Sequence, residues 1–411
     1  MTESDKPRSP LFLPILWGIY LTYMLDYMMM PALTQFFARS FQASPQELGT
    51  LISSYNFSAS IFGFLGAFFL DRFHRKKALV TLYIGFGAAL FISGFSSSLF
   101  QFIIARTVAG FFGGLMIATL FSMIGDEIDA EHQGMAFGTV LSSFSIASVI
   151  GVPSGLFLAE KGGWPLIFQV NGIVAAIIGA IAVFKLTPSR NQTLASESFR
   201  KRAITLLTSP SNYAAFFVSI FIAMASASVI PYINPFLSLN RGLSDSEIRS
   251  FYIVGGLVTF FVSFPVGYLS DRFGKHRVFY SFSILLFPIS IFFASMPSTL
   301  YAVMMIIFVL FMTLSRARRI PALAILTPSV EPGLRAAFLS IVTSLEQLFS
   351  GIAVSISGLV ILKTSAGIER FEAVGIGSAI FSLLALVFIR FVNRRNEENL
   401  ATNQSNQNIN V

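Results

Sequence analysis

Twelve stretches of this chain run long enough, with few or no charged side chains, to cross about 30 Å of hydrocarbon. Backbone placed in lipid must satisfy its N–H and C=O groups within the segment, so each stretch reads as an α-helix. A large soluble core would instead impose an amphipathic period, which the runs lack. The charge content agrees, at 12% against the roughly 25% of a soluble domain. The expected spans are 11–37, 47–70, 77–96, 100–124, 135–158 and 166–186, then 212–236, 247–270, 277–296, 299–327, 337–361 and 373–392. The fold class is therefore an all-α polytopic membrane protein. Residues 1–186 are expected to form one six-helix bundle and 212–393 a second, joined by a polar linker over 187–211. The tail 394–411, rich in Asn, Gln and Glu, predicts disorder. The first apolar run is too long for a cleavable signal and lacks a small-residue cleavage site, so it reads as a membrane helix.

The two halves repeat each other. Asp71-Arg72-Phe73 returns as Asp271-Arg272-Phe273, and Ser44-x-x-Glu47 returns as Ser244-x-x-Glu247, all at an offset of 200. Each Ser-x-x-Glu is a capping box that starts a helix. A repeat kept in register over this length predicts two pseudo-symmetric bundles.

Orientation follows from the bias of Lys and Arg towards the cytoplasmic side. With the N-terminus inside, eighteen such residues fall in inner segments and six in outer ones. Both termini and both Asp-Arg-Phe clusters are thus expected in the cytoplasm, in a cell membrane of the bacterial inner-membrane type. The net charge of +8 reflects these loops and gives no reason to expect nucleic acid. The chain has no cysteine, and His74, His132 and His276 all lie in charged connectors, so no metal site is expected.

Six ionisable residues remain inside spans: Asp26, Arg106, Arg316, Arg318, Arg319 and Glu346. Each costs on the order of 3 kcal/mol to insert, so such residues usually face a partner or a water-filled cavity. Asp26 and Glu346 lie in different halves, on either side of a central cleft, and a carboxylate partly withdrawn from water is suited to carry a proton. Arg316 and Arg319, three apart, share a helix face; Arg318 points elsewhere. These guanidinium groups could hold an anionic substrate or pair with Glu346 or Asp26. Gly110, Gly113 and Gly114 behind Arg106 allow close helix contact. Gly151, Pro153 and Gly155 predict a kink in span five. Tyr55, Asn56 and Asn234 are further candidates for a substrate cavity, with Phe36, Phe37, Phe144, Tyr232 and Phe236.

With these motifs the chain resembles the major facilitator superfamily over nearly its whole length, closest to the branch of proton-coupled drug and sugar efflux antiporters. The loop signature of that family, Gly-x-Leu-x-Asp-Arg-x-Gly-Arg-x-Arg/Lys, fits Gly267 through Arg277. The first copy keeps Asp71, Arg72, Arg75 and Lys77 and departs at Ala67 and His74. Arg106 and Gly110 match the span-four Arg-x-x-x-Gly motif, Gly151–Gly155 is similar to the antiporter motif of span five, and Asp26 matches the span-one Asp of the efflux branch.

The resemblance implies two bundles that rock about a central site, with the cytoplasmic clusters Asp71, Arg72, Arg75, Asp271, Arg272 and Arg277 acting as a gate. The expected function is proton-coupled antiport of a small molecule, driven by the proton gradient without a cofactor, by a monomer in the bilayer. Asp26 is the expected proton carrier and Arg106 its modulator. Glu346 with Arg318 is the expected substrate or coupling pair, flanked by Arg316 and Arg319. The alternative is an importer or exchanger of an anionic metabolite bound by the span-ten arginines. No constellation points to an enzyme.

Overall fold

A computed structural model describes residues 11–69, 73–128, 132–186, 199–297, 300–327, 330–365 and 367–409. The expected clusters at Asp71 and Arg72 lie outside the described residues. Among the described residues, ten helices are long and apolar enough to cross a membrane. Two further crossings, the serine-rich Pro45–Phe69 and an interrupted span five, complete a twelve-helix, two-bundle fold.

In the first bundle, span one is Phe12–Ala32, and Pro31 sits in its last turn before a short helix, Thr34–Ser40. Span two is Pro45–Phe69, span three Arg75–Ser93 and span four Leu99–Glu127. Span five is built from Gln133–Leu141, Ser143–Ile146, a π-helical turn at Ala147–Gly151 and Val152–Gly162. Pro153 has no N–H to donate, which accounts for the disturbed hydrogen bonding just before it. Span six is Trp164–Lys185.

In the second bundle, span seven begins as Pro210–Val229 and ends in irregular helical turns around Pro231 and Pro235. Span eight is Asp245–Phe273, span nine Lys275–Ser295, span eleven Arg335–Val360 and span twelve lies in Phe371–Ile409. Span ten breaks at Arg318 into Tyr301–Ala317 and Arg319–Leu326. Both capping boxes form: Ser44 N donates to Glu47 at 2.8 Å and Ser244 N to Glu247 at 2.8 Å.

The linker is partly helical at Phe199–Thr208, where Ala203 and Leu206 bury against the second bundle and Asn212 Nδ2 donates to Leu206 O at 3.1 Å. The tail continues helix twelve to Ile409, as Arg, Glu, Leu and Ala favour.

The face where the chain enters at Leu11 is called proximal, and the opposite one distal. Each bundle carries an aromatic cap near the distal face. In the first, Trp164 lies 4.7 Å from Phe102 and 5.5 Å from Phe37 between ring centroids. In the second, Phe236 lies 4.7 Å from Phe371 and Phe293 lies 5.0 Å from Phe311. The bundles are joined across the distal face. Arg39 Nη1 meets Asp245 Oδ2 at 2.5 Å, Arg249 pairs with Glu160, Gln35 donates to Ser238 Oγ at 3.2 Å, and Asn234 Nδ2 donates to Ala32 O.

Candidate functional site: a central cavity between two buried ion pairs

Close packing of spans two and four positions the first ion pair. A Cβ on Gly110 would stand 2.5 Å from Tyr55 O, and one on Gly114 would overlap Ala59 O, so both glycines let span four rest on the backbone of span two. This approach sets the Arg106 guanidinium 4.6 Å from the Tyr55 ring centroid, with Phe168 at 5.5 Å. Arg106 Nη1 then donates to Asp26 Oδ1 and Nη2 to Asp26 Oδ2, each at 2.7 Å. Both side chains are 0% exposed. Planar, two-pronged donation matches the carboxylate and offsets the desolvation of both charges. Gly151 faces Leu25, where a Cβ would overlap the leucine side chain, so the disturbed turn of span five packs directly beside Asp26.

The second pair lies in the other bundle. Arg319 Nη2 donates to Glu346 Oε2 at 2.7 Å, both side chains partly exposed to the central cavity. The expected partner, Arg318, is corrected here. One residue from Arg319 and two from Arg316, it turns about 200° from Arg316 round the helix. It is 0% exposed inside the second bundle, donating to Ser382 Oγ at 3.0 Å and Ile222 O at 3.5 Å. Arg318 lines none of the central cavities.

The main cavity, about 390 Å³, lies between the bundles on the proximal side of the closed distal seam. Gly138 and Leu141 of span five form one wall, and Ser263 and Leu323 of spans eight and ten another. Tyr20, Tyr23 and Tyr27 supply an aromatic stripe at spacings of three and four along span one. A smaller cavity, about 70 Å³, adjoins it on the distal side and is lined by Tyr55, Asn56 and Arg106. The two cavities share Tyr27, Arg316, Arg319 and Glu346. Gln347 Nε2, next to Glu346, donates across the bundles to Tyr23 OH at 2.5 Å. Two ion pairs, one per bundle, therefore flank one polar, aromatic cavity.

Other expected residues fall elsewhere. Asn234 faces the distal seam rather than the cavity, because its amide is held by Ala32 O. Phe37 and Phe236 belong to the distal caps, and Tyr232 OH donates to Val354 O at 2.9 Å, also distally. Phe144 does line the cavity. On the proximal face, Asp271, Arg272 and Arg277 are exposed, and Arg75 is buried at the start of span three. Arg272 Nη1 reaches Tyr268 OH at 3.3 Å within its own helix. Sequence reasoning missed Tyr20, Tyr23, Tyr27 and Gln347; the tyrosine spacing around Asp26 was the available signal. Among the described residues no His, Asp and Glu cluster fits a metal.

Two repeated six-helix bundles in the same orientation, closed at one end over a central cavity with charged groups at membrane depth, define a membrane transporter built from a parallel repeat. The model of the Major Facilitator Superfamily matches residues 15–216 and again 215–408, and the chain belongs to that family. It is 32% identical over 150 residues to the vacuolar membrane amino acid uptake transporter fnx2 of Schizosaccharomyces pombe, a match covering 36% of this chain and 26% of that one. It is 25% identical over 225 residues to the multidrug resistance protein MdtG of Escherichia coli O9:H4, covering 53% and 55%. The chain thus spans about a quarter and about half the length of these curated relatives. In fold it is similar to a bacterial homolog of the human lysosomal transporter Spinster in an inward-facing, unoccupied conformation (TM-score 0.74, 16% identity, 95% and 98% covered). It is also similar to a D-xylose–proton symporter (TM-score 0.74, 16% identity, 92% and 96% covered).

Proposed function

We propose that this chain is a proton-coupled antiporter that moves a small molecule out of the cell as protons enter. The Asp26–Arg106 pair carries the reading. It is fully buried, bidentate, and adjoins the cavity through Arg106 and Tyr55. With Asp26 ionised, each of its oxygens accepts from Arg106 and the two charges cancel. A proton on Asp26 cancels its charge and leaves Arg106 a buried cation without a counter-ion, a situation that costs about 3–5 kcal/mol when a buried pair is broken. Such a cost suffices to shift a two-state equilibrium of the bundles. The cavity is the substrate site, and the Tyr23–Gln347 hydrogen bond couples the two bundles within it.

Export is supported by the likeness to a protein named for multidrug resistance, and the lysine and arginine bias supports a cytoplasmic proximal face. The clusters around Asp71, Arg72, Arg75, Asp271, Arg272 and Arg277 then brace the proximal face when the distal face is open. The working unit is the monomer, since each chain holds a complete cavity.

Reconstitution tests this. In proteoliposomes, an imposed pH gradient drives uphill transport of a bound substrate by the wild-type protein, and Asp26→Asn abolishes that while still binding the substrate. Undiminished gradient-driven transport by Asp26→Asn removes Asp26 from the mechanism.

A further inference from the structure

The charges that line the cavity are unequally committed. Glu346 is already engaged by Arg319 at 2.7 Å. Arg318 faces the bundle core. Arg316 alone presents an uncommitted guanidinium. It lines the main cavity, the smaller one beside Arg106 and a third small cavity beside Tyr252, and so stands where all three meet. Its recorded contact is with a ring: the guanidinium lies 5.2 Å from the Phe144 centroid. Among the described residues it has no carboxylate partner.

The cavity thus carries two guanidinium groups against one carboxylate. A cationic ligand would find its one counter-charge occupied and a repelling neighbour beside it. An anionic ligand finds a planar donor whose desolvation is not yet offset. Around these charges the lining includes Tyr20, Tyr23, Tyr27, Phe121 and Phe144, a surface for an apolar or aromatic body. The volume, about 390 Å³, falls in the usual range of small-molecule sites, about 300–1,000 Å³.

We propose that the transported ligand is an organic monoanion, an oxyacid group on an aromatic or apolar body, whose acid docks on Arg316. This deepens the transport reading and rests on it. Arg316 belongs to span ten and Phe144 to span five, so the acid group replaces a contact between the two bundles. Loading the site therefore loosens one of the ties that the bundles must break to rock.

Three probes with one ring system and different charge test the assignment: 1-naphthoate, 1-naphthalenemethanol and 1-naphthylmethylammonium. Their affinities are measured by calorimetry on the full-length protein in nanodiscs. Naphthoate is expected to bind at least about tenfold more tightly than the other two, the factor that one charge-assisted contact supplies. Arg316→Gln is expected to erase the preference and Arg316→Lys to keep part of it. Arg318→Gln is expected to leave it intact. Equal affinity for all three probes, tighter binding of the ammonium, or an unchanged preference in Arg316→Gln overturns the proposal. The wild-type comparison stands even if a variant does not fold. Asp26→Asn separates the two readings: loss of coupling with the preference retained supports both. Coupling retained in Asp26→Asn with the preference intact defeats the proton reading alone. An absent preference in a wild-type protein that couples normally defeats this inference alone.

Discussion

Replacing Asp26 by Asn keeps the shape of the side chain and removes its charge. In the folded protein Arg106 is then left 0% exposed, with one neutral amide oxygen and the rings of Tyr55 and Phe168 against its guanidinium. Breaking a buried pair in this way costs about 3–5 kcal/mol, most of it the uncompensated charge. Rings at 4.6 and 5.5 Å return about 1–2 kcal/mol at most, and they are present in the wild type too. Arg106→Gln leaves the carboxylate of Asp26 buried instead and should cost a similar amount. The double variant removes both charges and places two amides within hydrogen-bonding reach. Its loss should therefore be smaller than the sum of the single losses by roughly 2–3 kcal/mol. Denaturant unfolding in mixed micelles, followed by far-ultraviolet circular dichroism, measures the cycle. Additive losses, or a cost of Asp26→Asn below about 1 kcal/mol as for an exposed pair, would refute the reasoning.

Other perturbations discriminate among neighbouring groups. Arg318→Met should be neutral or stabilising in thermal unfolding, because it removes a buried cation that has only neutral partners, whereas Arg319→Met should destabilise by leaving Glu346 alone. Gly114→Val should lower stability by about 1–3 kcal/mol and weaken transport, since the side chain pushes span four off Ala59. Arg39→Ala should change stability by less than about 1 kcal/mol, its pair with Asp245 being 51% and 31% exposed, yet should raise labelling of distal-seam residues by a membrane-impermeant reagent.

Much of the fold was legible because membrane insertion leaves few alternatives. Run length marks the spans, and the Ser-x-x-Glu boxes mark the starts of spans two and eight, whose helices begin at Pro45 and Asp245, two residues before the expected spans. The face shared by Arg316 and Arg319 followed from their spacing, and both line the cavity. Pairings were legible in part: Arg106 is expected to modulate Asp26, and the span-ten arginines to pair with Glu346 or Asp26, but which arginine reaches which carboxylate was not legible. Asp26 and Arg106 are eighty residues apart, and only the glycine-mediated approach of spans two and four brings the surroundings of Arg106 together. The spacing already turns Arg318 away from the face of Arg316 and Arg319, and that rotation carries it to Ser382 and Ile222 inside the bundle rather than to Glu346. Asn234 was misplaced for a related reason, since span seven ends in irregular turns where a regular helical period fails.

The absence of cysteine makes the bundles easy to label at chosen sites. Spin labels at Met135 and Phe273 report the proximal opening between spans five and eight, and labels at Gln42 and Leu239 report the distal seam; all four positions are exposed. Distance distributions measured by double electron–electron resonance in nanodiscs, at several pH values, test whether the proton on Asp26 moves the bundles. The expected result is a reciprocal change of the two distances with pH in the otherwise wild-type protein, and distributions that no longer respond to pH once Asp26→Asn is added. The same pH response with and without Asp26→Asn would contradict the account.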